Sequence, residues 1–193
     1  MARGKYYDAT YNEYFHVALF SKHPIVSNGL LFEENKFNNV LYADIKLKND
    51  TLRVYSVHLE SMGINPEKLQ DGEGIRSEYD NVKFRILRGG NTRAKQVKVL
   101  MEHIKNSPYP VLIAGDFNDV PYSYNYFRIR QSLKNSFEEG GSGFGVTYNG
   151  KIPFLRIDNQ FFGDGLELLH FQTLNEIKYS DHFPLLGEYK VSD

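Results

Sequence analysis

Two short polar segments, far apart in the chain, carry side chains suited to phosphate chemistry. Asp116 and Asn118 follow the apolar run 111–114, and Asp181 and His182 precede an apolar C-terminal segment. A carboxylate can orient water or contact a hard cation, which prefers one or two carboxylates with waters and phosphate oxygens. An amide N–H can donate to a phosphate oxygen, and an imidazole can accept a proton from water near neutral pH. These residue types fit hydrolysis of a phosphate ester assisted by a divalent cation.

Each segment also has a purely structural interpretation. A polar turn after a strand explains Asp116 and Asn118 equally well when that segment is taken alone. For Asp181 and His182, an aspartate cap followed by an exposed histidine is the commoner arrangement for a single pair of this kind. Neither segment identifies a site without the other.

Asp158 and His58 are further candidates, each with an alternative. Asp158 follows Leu155, Arg156 and Ile157 and lies midway along a predicted apolar strand, where an unpaired carboxylate is costly. It can hold the imidazole of His182 in one tautomer, as carboxylates do in catalytic triads, or form a salt bridge with Arg156. His58 ends an apolar run and can stabilise or protonate a leaving oxygen, although a satisfied histidine at a sheet edge is more common.

Arg93 and Gln96 lie one turn apart on a predicted helix and therefore share a face. Their spacing alone favours an exposed polar stripe. A guanidinium on this face can also bind the substrate, and we assign that role to Arg93.

The bulk properties describe a globular chain. It has 193 residues, 41% of them hydrophobic and 24% charged, which is enough for one domain with a substantial core, and we assign 1–193 to a single domain. Cysteine is absent, which excludes disulfides, thiolate nucleophiles and thiolate metal sites. The net charge of −1 gives no sign of strong electrostatic binding to nucleic acid. No apolar stretch is long enough to span a bilayer, and the compartment is left open.

The apolar pattern predicts more strands than helices and indicates an α+β sandwich with mixed sheets. A hairpin is expected from 39–48 and 51–59, and 61–90 is expected to be a long loop with at most a short helix. A helix capped by Asn91 or Thr92 should follow, and another is predicted over 122–133. A glycine-rich loop is expected over 140–150. The remaining predicted strands are 15–21, 109–115, 154–162, 166–171 and 183–191.

Five short motifs occur in a specific order along the chain. They are Val-His-Leu-Glu at 57–60, Arg-x-x-Gln at 93–96, Gly-Asp-Phe-Asn at 115–118, Arg-Ile-Asp at 156–158 and Ser-Asp-His at 180–182. Together with the segment 17–25, they resemble the endonuclease/exonuclease/phosphatase superfamily, whose members include deoxyribonuclease I. Each motif is weak alone, but five in this order are specific. The resemblance runs from about Val17 to the C-terminus.

The resemblance implies a role for each polar residue. Asp116 and Asn118 would orient the nucleophile and bind phosphate. Asp158 would orient His182, which would act as the base for the attacking water. Asp181 would assist metal binding.

The resemblance also implies the remaining components of the site. His58 would contact the phosphate or protonate the leaving group. Mg²⁺ or Mn²⁺ would offset the charge that develops during in-line attack of water on phosphorus. The family fold is a four-layer sandwich of two mixed β-sheets packed face to face and flanked by helices.

One departure from the family pattern concerns the N-terminal part of the domain. Family members begin with strands that carry an Asn and then a Gln-Glu pair, whose Glu is the main metal ligand. Nothing before Val17 matches, and Glu13 is rejected as that ligand because it does not sit on an apolar strand. We expect the chain to be the C-terminal part of such a domain, with weak or no activity alone. Absent strands would expose a sheet edge or apolar face and favour self-association.

The substrate class stays open at this point. A nucleic acid, a nucleotide and a phospholipid headgroup all present a phosphate ester to such a site. A non-catalytic binding or interaction module that retains the fold is the alternative to a hydrolase. The polar set argues against that alternative, because a fold alone does not require it.

Overall fold

A computed structural model describes residues 8–11, 16–32, 34, 37–62, 72–150 and 154–192, without the side chains of residues 8, 9, 11 and 72–88. Its secondary structure is α+β, as predicted. One mixed sheet of six strands dominates the described residues, and two antiparallel pairs of strands form smaller sheets. Helices are few, and one of them is long.

In the described residues, five strands precede the first helix, and the other helices lie between later strands. The strands are β1 (Asp8–Tyr11), β2 (Ala18–Ser21), β3 (Ile25–Leu30), β4 (Val40–Lys46), β5 (Thr51–His58), β6 (Val111–Asp116), β7 (Lys134–Asn135), β8 (Asp158–Phe162), β9 (Leu166–Thr173) and β10 (Leu185–Val191). The helices are α1 (Gly72–Lys105), α2 (Tyr124–Arg130) and α3 (Ser136–Gly140).

The strand order of the large sheet is β3-β4-β5-β6-β8-β7. Strand β5 runs parallel to β6, and the other neighbouring pairs are antiparallel. The register places His58 of β5 beside Asp116 of β6, and Asp116 beside Asp158 of β8. One end of the sheet therefore collects three residues that lie far apart in the sequence.

The main core lies between the large sheet and helices α1 and α2. The helical spacing of Val97, Leu100 and Ile104 turns one face of α1 towards the sheet, and all three are buried. The sheet residues in this core alternate along each strand with residues of the opposite face. They include Tyr55, Val57, Val111, Ile113 and Phe161, each at most 5% exposed.

The opposite face of the large sheet is covered less completely. Strand β2 packs on β4, and Tyr189 of β10 contacts Phe162 of β8 with ring centroids 5.5 Å apart. Strands β5 and β6 lie between these two covered regions. On this face Leu112 and Ala114 of β6 are only half-buried, whereas Val111 and Ile113 on the helix side are buried. Part of this apolar face is thus open in the described structure.

Several predicted elements are confirmed. The hairpin expected over 39–48 and 51–59 is β4–β5, with Val40 paired to Val57 and Lys46 to Thr51. The helix expected over 122–133 is α2, and the Ser123 side chain caps it by accepting from the Tyr126 amide. The strand expected from residue 154 begins only at Asp158.

The prediction of a long loop over 61–90, followed by a helix capped at Asn91 or Thr92, is wrong. Helix α1 already begins at Gly72 and continues through the predicted cap to Lys105, while residues 63–71 lie outside the description. Gly89, one of the glycines that suggested a loop, has a packing role instead. A methyl group on Gly89 would lie 2.8 Å from the Ser61 carbonyl oxygen, so the helix passes close to the segment after β5.

None of the described helices is long and apolar enough to cross a membrane.

We expect the half-buried face around Leu112 to promote self-association, because exposed apolar sheet surfaces pair with other chains. Sedimentation velocity should show species larger than the monomer at micromolar concentrations. Leu112→Glu should shift the distribution towards the monomer, and Leu169→Glu, at an outward position on β9 that is 59% exposed, is the matched control. A single monomeric species at every concentration would contradict this expectation.

Candidate active site

The candidate site forms where β5, β6 and β8 end at the same edge of the large sheet. Gly115 allows this approach, because its φ is 145° and an added methyl group would overlap the Val57 carbonyl oxygen. The next residue, Asp116, is therefore held beside His58 on one side and Asp158 on the other.

Asp116 and Asn118 form a closed hydrogen-bonded turn. The Asn118 amide N–H donates to Asp116 Oδ1 at 2.7 Å, and Asn118 Nδ2 donates to Asp116 Oδ2 at 3.0 Å. Nδ2 also donates to the Leu59 carbonyl oxygen at 3.1 Å. Asn118 has φ of 49°, a strained conformation that this network maintains. Both donors of its carboxamide are therefore engaged, and its first effect is to fix the Asp116 carboxylate.

Asp158 and His182 form the pair that the sequence suggested. The two side chains are joined at 2.7 Å between His182 Nδ1 and Asp158 Oδ2. Because a carboxylate accepts, Nδ1 carries the proton, and Nε2 of the neutral ring has the free lone pair. The Tyr148 ring meets the imidazole edge to face at 5.3 Å. This orientation leaves His182 able to act as a general base through Nε2.

His58 is held in a defined orientation too. Its Nδ1 lies 3.0 Å from the Phe37 carbonyl oxygen, so Nδ1 donates the hydrogen bond. Its Nε2 lies 4.0 Å from Asp116 Oδ2. A protonated His58 therefore presents an Nε2–H group on the Asp116 side of the ring.

Burial and mutual repulsion change how these groups titrate. Burial, followed by repulsion from Asp158, raises the pKa of Asp116 from 3.8 to about 6. Ionisation of Asp116 therefore opposes folding, and the stability of the metal-free protein should decrease as pH rises between these values. The hydrogen bond to Asp158 raises the pKa of His182 above its usual value. The protonated ring thus contributes stability at low pH, and this is lost as pH rises through the raised pKa.

The donor set at this edge fits a divalent cation. Ligand atoms of Asp116, Asp158 and His182 all lie within 4.8 Å of one another. Two carboxylates suit Mg²⁺, which takes its other ligands from water and substrate, and carboxylate and water ligands suit Mn²⁺ as well. Asp181, predicted to assist metal binding, lies outside this group. It is exposed, and its carboxylate accepts from the Ser180 hydroxyl at 3.2 Å.

Arg93 is buried and engaged with groups of the protein, and its contact with substrate stays a prediction. Its side chain donates to Asp119 Oδ2 at 3.3 Å and to the Glu60 carbonyl oxygen at 3.0 Å. Gln96 also holds this segment, since its Oε1 accepts from the Glu60 amide at 2.9 Å. Arg93 is 3% exposed and Gln96 is 6% exposed, so the expectation of an exposed polar stripe is also wrong. Both residues position the segments that follow β5 and β6.

Thr147 is a positioning residue that the sequence reasoning missed. Its Oγ1 accepts from the amides of Ile157 and Asp158, both at 3.0 Å. Its carbonyl oxygen accepts from the Phe183 amide at 2.7 Å. One buried residue of the glycine-rich loop therefore fixes the backbone on both sides of the Asp158–His182 pair. Only its place in that loop distinguished Thr147 in the sequence.

The family comparison agrees with this arrangement. The sequence matches the Endonuclease/Exonuclease/phosphatase family over residues 2–182, and the chain therefore belongs to that family. The match begins earlier than Val17, where the resemblance was expected to start. Glu13, rejected above as a metal ligand, lies outside the described residues. No curated protein matches the chain.

Solved structures show the same fold at low sequence identity. A functionally unknown conserved protein from Enterococcus faecalis V583 is 18% identical with a TM-score of 0.67, over 91% of this chain and 70% of that one. A mannosyl-6-phosphatase from Bacteroides thetaiotaomicron is 16% identical with a TM-score of 0.63, over 90% and 70%. TDP2 from D. rerio, complexed with a single-strand DNA product, is 16% identical with a TM-score of 0.63, over 90% and 72%.

Replacing Thr147 with Val should lower the free energy of unfolding, because it leaves the amides of Ile157 and Asp158 without their acceptor. The cost should be about 1–3 kcal/mol for each amide left unpaired. Thr147→Ser retains the oxygen and should lose much less. Urea unfolding measures both variants, and equal stability of the Val and Ser proteins would disprove the role of the hydroxyl.

In the metal-free protein, the Asp116 carboxyl should titrate near pH 6, and adding Mg²⁺ should lower its pKa, because a nearby cation favours the ionised form. Carboxyl carbon chemical shifts, followed by NMR with EDTA and then with Mg²⁺, measure both values. The exposed carboxylate of Glu167 on β9 is the internal control. An unchanged Asp116 titration in excess Mg²⁺ would exclude Asp116 as a ligand.

Proposed function

We propose that this protein hydrolyses phosphate esters at the edge formed by His58, Asp116 and Asp158, with His182 as the general base. The family and its structural relatives support phosphoester hydrolysis in general terms. The observation that carries the specific proposal is the hydrogen bond between His182 and Asp158, beside a second carboxylate. This combination provides a base of fixed tautomer next to a set of cation ligands.

The proposed reaction is a direct displacement by water. His182 Nε2 takes a proton from the water as its oxygen bonds to phosphorus in line with the leaving group. The bond from phosphorus to the ester oxygen breaks, and the protonated His58 supplies the leaving oxygen with a proton through Nε2. Asp158 stabilises the imidazolium of His182, because its carboxylate already accepts the Nδ1 proton.

Asp116 and Asp158 are the proposed carboxylate ligands of Mg²⁺ or Mn²⁺, and Asp181 stays a prediction as an assisting ligand. A bound cation would offset negative charge that develops on the phosphate oxygens. The described residues offer the cation only two carboxylates in one group. We therefore expect weak cation affinity and low turnover from this chain, with activity rising across millimolar Mg²⁺.

The donors of Asn118 are hydrogen-bonded to Asp116, and we propose that the side chain also binds the substrate phosphate. Its carboxamide holds one carboxylate oxygen of Asp116, and its backbone amide holds the other. A phosphate oxygen can replace Asp116 as the acceptor of one Nδ2 hydrogen. The proposal that Asn118 binds phosphate thus requires a change in this hydrogen bond when substrate enters.

His182→Ala should reduce kcat for bis(4-nitrophenyl) phosphate by about 100-fold to 10,000-fold, the usual contribution of a general base. Asp158→Asn should also lower kcat, because an amide does not stabilise the imidazolium. His170→Ala is the matched control, since His170 is an exposed histidine on β9. The assay is run with Mg²⁺ and then with EDTA.

Equal turnover by the wild type and the His182→Ala protein would refute the mechanism. Binding of Mg²⁺ and phosphate with no turnover by the wild type would instead favour a non-catalytic module that retains the fold.

A further inference from the structure

Arg156 is a buried cation that has no part in the chemistry above. It is 7% exposed and lies two positions before Asp158 in the chain. Its Nη2 donates to the Tyr126 hydroxyl oxygen at 3.2 Å, and its guanidinium lies 4.4 Å from the centroid of the Phe137 ring. Asp158 instead accepts from His182. The two neighbouring side chains therefore reach different parts of the structure.

The guanidinium links the segment before β8 to helices α2 and α3. The Tyr126 hydroxyl of α2, which accepts from Arg156, donates in turn to Glu138 Oε1 of α3. Arg130 of α2 holds the other oxygen of that carboxylate, with its Nη2 2.5 Å from Oε2. The charges of Arg156 and Glu138 are thus joined through the tyrosine hydroxyl, and both helices are tied to residue 156.

Stability alone gives little reason for a cation at this position. Among the described residues, Nη1 of Arg156 is buried with no hydrogen-bond partner. A buried donor without a partner costs folding free energy, and buried ionic groups can often be replaced by apolar side chains without loss of stability. The Tyr126 hydroxyl would still donate to Glu138 if Arg156 were absent. The contacts of Arg156 point instead to a role in the geometry of the segment.

The backbone between Arg156 and Asp158 is held at Ile157. The Ile157 amide donates to Thr147 Oγ1 at 3.0 Å, and its carbonyl oxygen accepts from the Phe117 amide at 2.9 Å. These bonds fix the position of the chain, and an anchor at a second point is needed to fix its direction. Arg156 supplies that anchor, because its side chain is fastened to α2 and α3.

We propose that Arg156 is a positioning residue for the pair formed by Asp158 and His182. By anchoring the segment before β8, it sets the direction of the Asp158 carboxylate. That direction decides whether Asp158 accepts from Nδ1 of His182 and leaves the Nε2 lone pair free. The effect on catalysis rests on the proposed function, whereas the effect on the tautomer of His182 does not.

Arg156→Met tests the inference, because methionine retains an unbranched chain but has no N–H group. NMR of the imidazole nitrogens, in EDTA and at a pH where the His182 ring is neutral, shows which nitrogen carries the proton. The wild type should have Nδ1–H, and the variant should have a mixture of the two tautomers. Asp158→Asn shows the spectrum expected when the carboxylate is lost. Arg128→Met is the matched control, since Arg128 is an exposed arginine on α2.

Kinetics and unfolding separate positioning from a purely structural role. For bis(4-nitrophenyl) phosphate, Arg156→Met should lower kcat by about 10-fold to 100-fold, the scale of a small misplacement of a catalytic group. KM should change little, because the groups proposed to bind phosphate remain. The urea midpoint should equal or exceed that of the wild type, because the unpaired Nη1 is removed. Arg128→Met should match the wild type in tautomer and kcat.

Tyr126→Phe approaches the same contact from its other partner and removes only the hydroxyl. It should give the same mixture of tautomers, so the inference can be judged even if Arg156→Met does not fold. Retention of Nδ1–H in either folded variant would overturn the inference, as would a loss of stability with unchanged tautomer and kcat. If the wild type shows no turnover, the proposed hydrolysis fails, but the comparison of tautomers still decides the role of Arg156.

Discussion

The antiparallel register of β6 and β8 is the constraint on which the site depends. It sets Asp116 opposite Asp158 at the end of the large sheet, where two carboxylates in a half-buried environment repel each other. The protein offsets this repulsion with directed donors. Asn118 donates two hydrogen bonds to Asp116, and His182 donates one to Asp158. Burial first, and then the remaining repulsion from Asp158, raise the pKa of Asp116, and the proposed divalent cation would counter both effects.

The residues around these carboxylates act mainly as supports. Arg93 is buried under the segments that follow β5 and β6, and it links Glu60 to Asp119. Thr147 holds the start of β8 and the segment after His182. Removing one of these residues leaves a buried donor or acceptor without a partner. The loss of folding free energy then exceeds the net contribution of one hydrogen bond. These hydrogen bonds hold the Asp116 and Asp158 carboxylates and the His182 ring in defined orientations.

The two small sheets cover the large sheet less completely than the helices cover its other face. The helix side of the large sheet is tightly packed, whereas the opposite face carries two separate strand pairs with half-buried apolar residues between the regions they cover. This asymmetry places the buried core beneath the candidate site and leaves part of the other face uncovered among the described residues. The glycine-rich loop packs differently, since Gly141 and Gly145 bring its backbone directly against the ring of Phe137.

The sequence by itself determined the α+β class and the β4–β5 hairpin, and it singled out the polar residues that the structure brings together at the candidate site, because apolar periodicity and motif order can be read directly from the chain. It failed where a residue's role depends on distant packing. The glycines before Arg93 suggested a loop, yet Gly89 lies inside α1. A glycine is needed there because the segment after β5 passes close to the helix. The spacing of Arg93 predicted a surface residue, but its side chain is buried. Thr147 belongs to none of the motifs in the sequence that suggested a function. Only the tertiary structure could decide these roles, because they rest on contacts with residues that lie far away in the sequence or that the strand register brings together.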